Sequence, residues 1–351
     1  MLVTACNFKH SVLLILILFS SLTNLYATPL HKAAKKGDIA QVKQLLDSGA
    51  SVDGKDKRND TPLHIAVSWG HINIVKLLLA KGANIEAKSN GSYTSLHSAV
   101  VNGQTKILSL LLNKGANTEA RNLQGETALH LATEKCQIKM VELLIKKGAN
   151  MNARNKNGAT ALHTACKKGS QIARFLLASG ANIEIKNNKG ETVLFEVVKN
   201  KRSDLLSLLL KKRVNVNARN IDGTTVLHWA AAFGDLQLVK LLIEKGANVK
   251  AIGKQRTTVL HWVAETDNIN IARYLLAKGV NIKARDNDGN AALHLAAVYG
   301  NSAMVEFLLA NGANIEARGK QGRTALYWAA QRGQTKIEKL LLSKGADTNA
   351  R

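Results

Sequence analysis

Thr61-Pro62-Leu63-His64-Ile65-Ala66-Val67-Ser68-Trp69-Gly70 leads through His71 to Ile72-Asn73-Ile74-Val75-Lys76-Leu77-Leu78-Leu79-Ala80-Lys81-Gly82-Ala83-Asn84, and this stretch decides the fold. Thr61 can cap the free backbone N–H groups of a helix start, and Pro62 suits the first turn, where no amide hydrogen is required. Leu63, Ala66 and Val67 follow the i, i+3, i+4 rule, which gives a short helix with one apolar stripe. Gly70 ends it, because a helix C-terminus often needs the left-handed conformation that glycine tolerates. Ile74, Val75, Leu78 and Leu79 then form a second amphipathic helix, stopped by Gly82.

Outward from this stretch the same strings return. Thr28-Pro29-Leu30-His31 precedes it, and further starts follow at Thr94, Thr127, Thr160, Thr192, Thr225, Thr258, Ala291 and Thr324. Every step is 33 residues except one of 32, from Thr160 to Thr192. About ten units therefore fill residues 28–351, joined by segments with turn signals such as Asn157-Gly158 and Asp288-Gly289. A helix pair this small cannot bury its apolar face alone, so neighbouring units must stack.

The 33-residue period, the T-P-L-H-x-A start and the L-L-x-x-G-A-N end resemble ankyrin repeats across all of 28–351. The resemblance implies an all-α ankyrin-repeat solenoid of helix-turn-helix units with β-hairpin-like loops. It also implies a concave surface made of loop tips and first helices. Members of that family generally bind other proteins and have no catalysis of their own. Lys32 and Glu338 put charges where other units carry larger or apolar side chains, as expected of solubilising caps that finish an array.

Residues 1–27 have the pattern of a secretory signal peptide. Lys9 and His10 supply a basic start, Val12 to Phe19 is an unbroken apolar run, and Leu25-Tyr26-Ala27 precedes a cut before Thr28. The apolar run has 8 residues, against the roughly 20 needed to span a bilayer. Export to the periplasm or outside the cell is the expectation, with membrane contact only transient. An anchor formed by uncleaved 1–27 is the alternative.

Composition narrows the function. Hydrophobic residues make up 46% of the chain, which excludes disorder, and three Cys exclude a disulfide scaffold. Cys136 and Cys166 lie in adjacent units at non-equivalent positions and are not expected to bridge. Eight of the ten histidines (His31, His64, His97, His130, His163, His228, His261 and His294) occupy one repeat position. Stacked helices lie about 8–10 Å apart, too far for two such rings to share a zinc ion at about 2 Å from each. The resemblance makes this His a structural hydrogen-bonding group. No catalytic signature such as H-E-x-x-H, G-x-S-x-G or a phosphate-binding glycine loop is present. Neither enzymatic activity, nor a cofactor, nor a metal is expected.

The formal net charge of +24 divides into two parts. Lys81, Lys114, Lys147, Lys212, Lys245, Lys278 and Lys344 precede the end of a second helix, where a cation complements the helix dipole. Lys88, Arg121, Arg154, Lys186, Arg219, Arg285, Arg318 and Arg351 recur just beyond and are expected to form a solvated face. The informative cations lie at variable positions, by resemblance the loop tips and the last turn of the first helix. They are Lys35, Lys36, Lys57, Arg58, Lys135, Lys167, Lys168, Lys199, Lys254, Arg256, Lys320, Arg323 and Arg332, interleaved with Trp69, Tyr93, Phe233 and Tyr299. Basic and aromatic side chains together suit a surface for an acidic partner protein. Trp229, Trp262 and Trp328 are expected to pack as core.

The resulting expectation is an exported, monomeric, non-catalytic protein that binds one or more partner proteins through a basic concave face. A signal peptide joined to such an array resembles bacterial exported ankyrin proteins, which makes a periplasmic scaffold or a secreted, host-directed effector the two destinations. Nucleic acid or another anionic surface is the alternative ligand of the same face, disfavoured by the spacing of its cations and by export. The sixth unit, residues 192–224, is expected to be the weak joint. Phe195 replaces its His, Lys201 and Arg213 replace both of its helix-ending glycines, and the one-residue deletion is placed in the second helix of the unit before it.

Overall fold

Helix pairs follow one another along the chain in the computed structural model, which describes residues 28–349. The expected signal peptide, residues 1–27, and Arg351 lie outside the described residues. The chain divides into two compact units between Asn182 and Ile183. In the first unit the pairs are Pro29–Lys36 with Ile39–Asp47, Pro62–Ser68 with Ile72–Ala80, Ser95–Val101 with Thr105–Asn113, Ala128–Glu134 with Ile138–Lys146, and Ala161–Lys168 with Ser170–Ala178. The second unit has Val193–Lys199 with Ser203–Lys211, Val226–Ala232 with Leu236–Glu244, and Val259–Thr266 with Ile269–Ala277. It continues with Ala292–Tyr299 beside Ser302–Ala310 and Ala325–Gln331 beside Thr335–Ser343. The fold is an all-helical ankyrin-type solenoid, numbered below as repeats one to ten.

In each repeat the apolar stripes of the two helices face each other and their neighbours. In repeat two, Leu63, Ala66, Val67, Ile74, Val75 and Leu78 are all buried. The Thr and His of the helix start form one capping device. Thr61 N–H donates to His64 Nδ1 at 3.3 Å, and the Thr61 hydroxyl lies 2.9 Å from the same nitrogen. Nδ1 is thus an acceptor, so the neutral ring carries its proton on Nε2 and donates it to the Tyr93 carbonyl of the next repeat at 3.1 Å. The same link runs from His97 to Glu126, from His130 to Ala159 and from His261 to Asn290. In these repeats the histidine ladder is a set of inter-repeat hydrogen bonds, each ring joining one helix start to the next loop, whereas the buried Nε2 of His228 has no partner.

The loops close like hairpins without forming strands among the described residues, apart from a single bridge between Ile252 and Thr258. Their shape follows from one residue five places before the Thr. Where it is Asp or Asn, its side chain accepts from the backbone two and four residues on. Asp56 Oδ1 takes the N–H groups of Arg58 and Asp60, and Asn155 Oδ1 those of Asn157 and Ala159. Where it is Ser89, Gly253 or Gly319, that acceptor is missing. The loop tightens there into a short 3-10 turn at Asn90–Ser92, Lys254–Arg256 or Lys320–Gly322.

Three expectations need correction. The recurring Arg residues are not merely a solvated face. Arg121 and Arg285 each donate to a carbonyl four residues on and to another 33 residues on, at Arg154 and Arg318, and Arg219 reaches the Ile252 carbonyl. These guanidiniums clamp successive loops, because their spacing equals the repeat period. The one-residue deletion is not in a helix either. Ser170–Ala178 keeps the nine residues of every other second helix, and Gly169, at φ −149°, closes one helix and opens the next. The loss falls where a turn can absorb it, since Ile172, Ala173, Leu176 and Leu177 must all stay buried. Finally, Trp229, Trp262 and Trp328 are half-buried, packed at the edge of the core and not fully inside it.

Lys201 and Arg213 do adopt the left-handed conformation that their glycine counterparts would take, at φ 53° and 58°. Cys136 and Asp267 do the same in repeats four and eight. Cys136 is exposed, whereas Cys166 is buried.

Candidate functional site

The eighth residue after each capping Thr closes the first helix, and there the side chain points away from the core. In the first unit this position holds Lys36, Trp69, Lys135 and Lys168, with Asn102 among them, and all five are exposed. In the second unit it holds Phe233, Tyr299 and Arg332, again exposed, with Asn200 and Thr266 between. Trp69 and Tyr299 are each 55% exposed and Phe233 is 41% exposed, unusual values for rings of this size.

Several expected site residues are brought together. Lys35 Nζ sits 5.0 Å from the centroid of the Trp69 ring, a cation–π contact across adjacent repeats. Lys167 is exposed beside Lys168, whose ammonium meets Glu134 at 2.7 Å; that carboxylate holds the Lys168 pKa above its ordinary value. Lys57 and Arg58 are exposed on one loop tip. Lys254 and Lys320 sit on loop tips too, each 3.2 Å from an acidic neighbour, Asp222 and Asp288. Tyr93 departs from the expected exposed set. It is half-buried, with its ring edge-on to His97 at 5.7 Å.

The second unit gathers the densest group. Lys199 Nζ lies 4.6 Å above the Trp229 ring and pairs with Glu191, whose side chain is only 5% exposed. Trp229 packs 5.7 Å from Phe233 and 5.5 Å, edge to face, from Trp262. Trp262 in turn donates its indole N–H to Thr257 at 3.2 Å. Arg323 stacks over Tyr327 at 4.3 Å and Trp328 at 5.5 Å, with Arg332 exposed at the cap that ends the same helix. Trp229, Trp262 and Glu191 were missing from the expected site. The signal for Trp229 was present, since it precedes Phe233 by four residues and so shares its helix face.

The arrangement offers flat aromatic surfaces held by cations. Among the described residues no group of three His, Cys, Asp or Glu is placed to hold a metal ion. None of the described helices is long and apolar enough to cross a membrane.

Comparison with known proteins agrees with this geometry. The sequence model of ankyrin repeats (three copies) matches in overlapping segments from residue 2 to residue 351. Among solved structures, the chain is similar to the ankyrin repeat domain of Bcl-3, described as a unique member of the IkappaB protein family. The identity is 33%, the match covers 57% of this chain and 92% of that one, and the TM-score is 0.53. No curated protein sequence gives a significant match.

Proposed function

Since this chain belongs to the ankyrin-repeat family, whose repeats are generally protein-interaction modules, we propose that it is an exported, non-catalytic binding protein. It holds an acidic partner protein against the cations and aromatic rings at the ends of its first helices. The carrying observation is the exposed column of Lys36, Trp69, Lys135 and Lys168 in the first unit and of Phe233, Tyr299 and Arg332 in the second. Large rings are costly to leave in water, and they dominate interface energetics once covered. Cations beside them steer an acidic partner and fix its register.

Charge reversal tests the face. Replacing Lys57, Arg58, Lys167 and Lys168 by Glu should weaken partner capture by about tenfold. The same number of changes at the helix-end residues Lys114, Lys147, Lys212 and Lys245 should cost much less. Binding should also weaken with salt, because exposed charges are screened beyond about 8 Å at physiological ionic strength. Affinity purification with the full chain and each variant, read by mass spectrometry, gives the comparison. Equal losses from both sets would mean that bulk charge attracts the partner, and retention of RNA or DNA at physiological salt would replace the protein partner with nucleic acid.

Export rests on residues 1–27. Cell fractionation and amino-terminal sequencing should find the mature protein beginning at Thr28, outside the cytosol. Full-length protein retained in the cytosol would end the export part of the proposal, and full-length protein in the membrane fraction would make 1–27 an anchor.

A further inference from the structure

Between repeats six and seven, within the second unit, lies a groove of about 220 Å³. Its walls are Val197, Val198, Leu206, Phe233, Leu238 and Leu241, with Lys201, Arg202 and Asp235 among the polar residues at its rim. An apolar cavity of about 150 Å³ holds a benzene ring, so this groove has room for one branched or aromatic side chain.

The groove exists because a recurring contact is missing. At most other junctions the residue just before a second helix reaches back over the turn of the preceding repeat. His71 Nε2 donates to the Lys35 carbonyl at 3.0 Å, Gln137 to Val100 at 3.1 Å, and Asn301 to Ala264 at 2.7 Å. The turn beneath must be open, and a Cβ on Gly70 or Gly234 would come within 2.9 Å of Gln104 or 2.8 Å of Asn268. In repeat seven the reaching residue is Asp235. Its ionised side chain has no hydrogen to donate, and Oδ1 instead accepts from its own helix at Leu238 N, 2.9 Å away. The turn it should cover carries Lys201, an exposed side chain, in place of glycine.

The other two non-glycine turns are closed by different means. Asp267 accepts from the Met304 N–H of the next repeat at 3.1 Å, and Asn301 still reaches back over that turn. Cys136 is followed by the repeat with the shortened turn, where Gly169 approaches its sulfur. At repeat six Phe233, Leu238 and Leu241 stay open to solvent above a floor of buried Val197, Val198 and Leu206.

We propose that this groove receives an apolar side chain of the partner protein, with a carboxylate next to it in sequence meeting Lys201. This rests on the reading that the chain binds a protein. The occupant's chemistry follows from complementarity: the walls are aliphatic and aromatic, and the rim has the exposed ammonium of Lys201, while Arg202 lies 3.9 Å from Asp204 and Asp235 is engaged in capping its helix. Phe233 belongs both to the groove and to the aromatic cluster with Trp229, so a segment lying on that cluster would pass the groove.

Random twelve-residue peptides displayed on phage, selected on the immobilised full chain, supply the probe. The recovered peptides should share Leu, Ile, Met or Phe with Asp or Glu within two positions. Their affinity should fall about tenfold on Ser203→Trp, which fills the groove from its exposed rim, and on Lys201→Glu, which reverses the rim charge. Lys201→Glu alters only an exposed group, so it remains informative should the bulkier change disturb folding. Recovered peptides without that pattern, or with equal affinity for the parent chain and Lys201→Glu, would overturn the proposal. Trp229→Ala separates the two readings. Peptides that lose affinity on Trp229→Ala but not on the groove variants would remove the groove and leave the aromatic face standing. Loss on the groove variants alone would establish the groove independently of that face.

Discussion

Lowering the pH from about 7 to about 4 should destabilise the array by several kcal/mol. Burial holds the pKa of His64, His97, His130, His228, His261 and His294 below the ordinary value of 6.5, and for His97 and His228 it falls to about 4. The native rings stay neutral, as required by Nδ1 accepting the N–H of the residue that opens the helix, Thr in five of these repeats and Ala291 before His294. As the pH drops below 6.5 the unfolded chain takes up protons that the folded chain refuses, so stability is lost until the folded pKa is reached. Each tenfold loss of proton affinity on folding is worth about 1.4 kcal/mol, so His97 and His228 alone carry roughly 3 kcal/mol each. Asp60 and Glu265 act in the opposite sense. Burial raises their pKa values, so their protonation favours the native state, but they are two partly buried groups against six histidines. The basic surface acts with the histidines, since acid increases an already large positive charge. Urea unfolding at a series of pH values measures the slope. His97→Phe, which copies repeat six, should remove one histidine's share of it. A midpoint unchanged between pH 7 and about pH 4.5 would show that the rings are not held neutral.

The repeats were legible because their determinants are local. Thr at the cap, apolar residues at i, i+3 and i+4, and a glycine stop act within one turn of helix, and they recur at a fixed period. What the sequence hid depended on contacts between repeats. Arg121 could be placed on the surface, but its role as a clamp requires knowing that a carbonyl 33 residues on lies within reach. The deletion before Thr192 could be counted but not located, because the choice between helix and turn is made by the burial of Ile172 and Leu176. Trp229 and Trp262 follow a histidine that is buried, which suggested burial for them as well. Four positions before Phe233 on a helix is nevertheless the same face, and that face is partly open to solvent.

Repeat six should prove the weakest part of the second unit, and the substitutions that test this have opposite signs. Phe195 stands where eight repeats have His, and it is fully buried, heading the large side chains of the core. It cannot accept from Thr192, so the buried Thr192 hydroxyl has no hydrogen-bond partner. The repeat has therefore exchanged an inter-repeat hydrogen bond for apolar packing, and its stability hangs on that ring. Phe195→Ala should cost about 3–5 kcal/mol, the usual range for emptying a buried aromatic site. In the other direction, Lys201 and Arg213 hold left-handed backbone, which costs a non-glycine residue about 1–2 kcal/mol. Lys201→Gly with Arg213→Gly should therefore raise the unfolding midpoint, less the roughly 0.5–1 kcal/mol that each glycine gives back through a more flexible unfolded chain. In a nearly one-dimensional array such effects stay close to the altered repeat and its interfaces. Backbone amides of residues 192–224 should exchange fastest near Lys201 and Arg213. They should speed up with Phe195→Ala far more than those of repeat nine, and slow with the double glycine variant. Uniform acceleration across the whole second unit after Phe195→Ala, with no gain from the glycines, would mean that the unit unfolds as one block and that repeat six is no weaker than its neighbours.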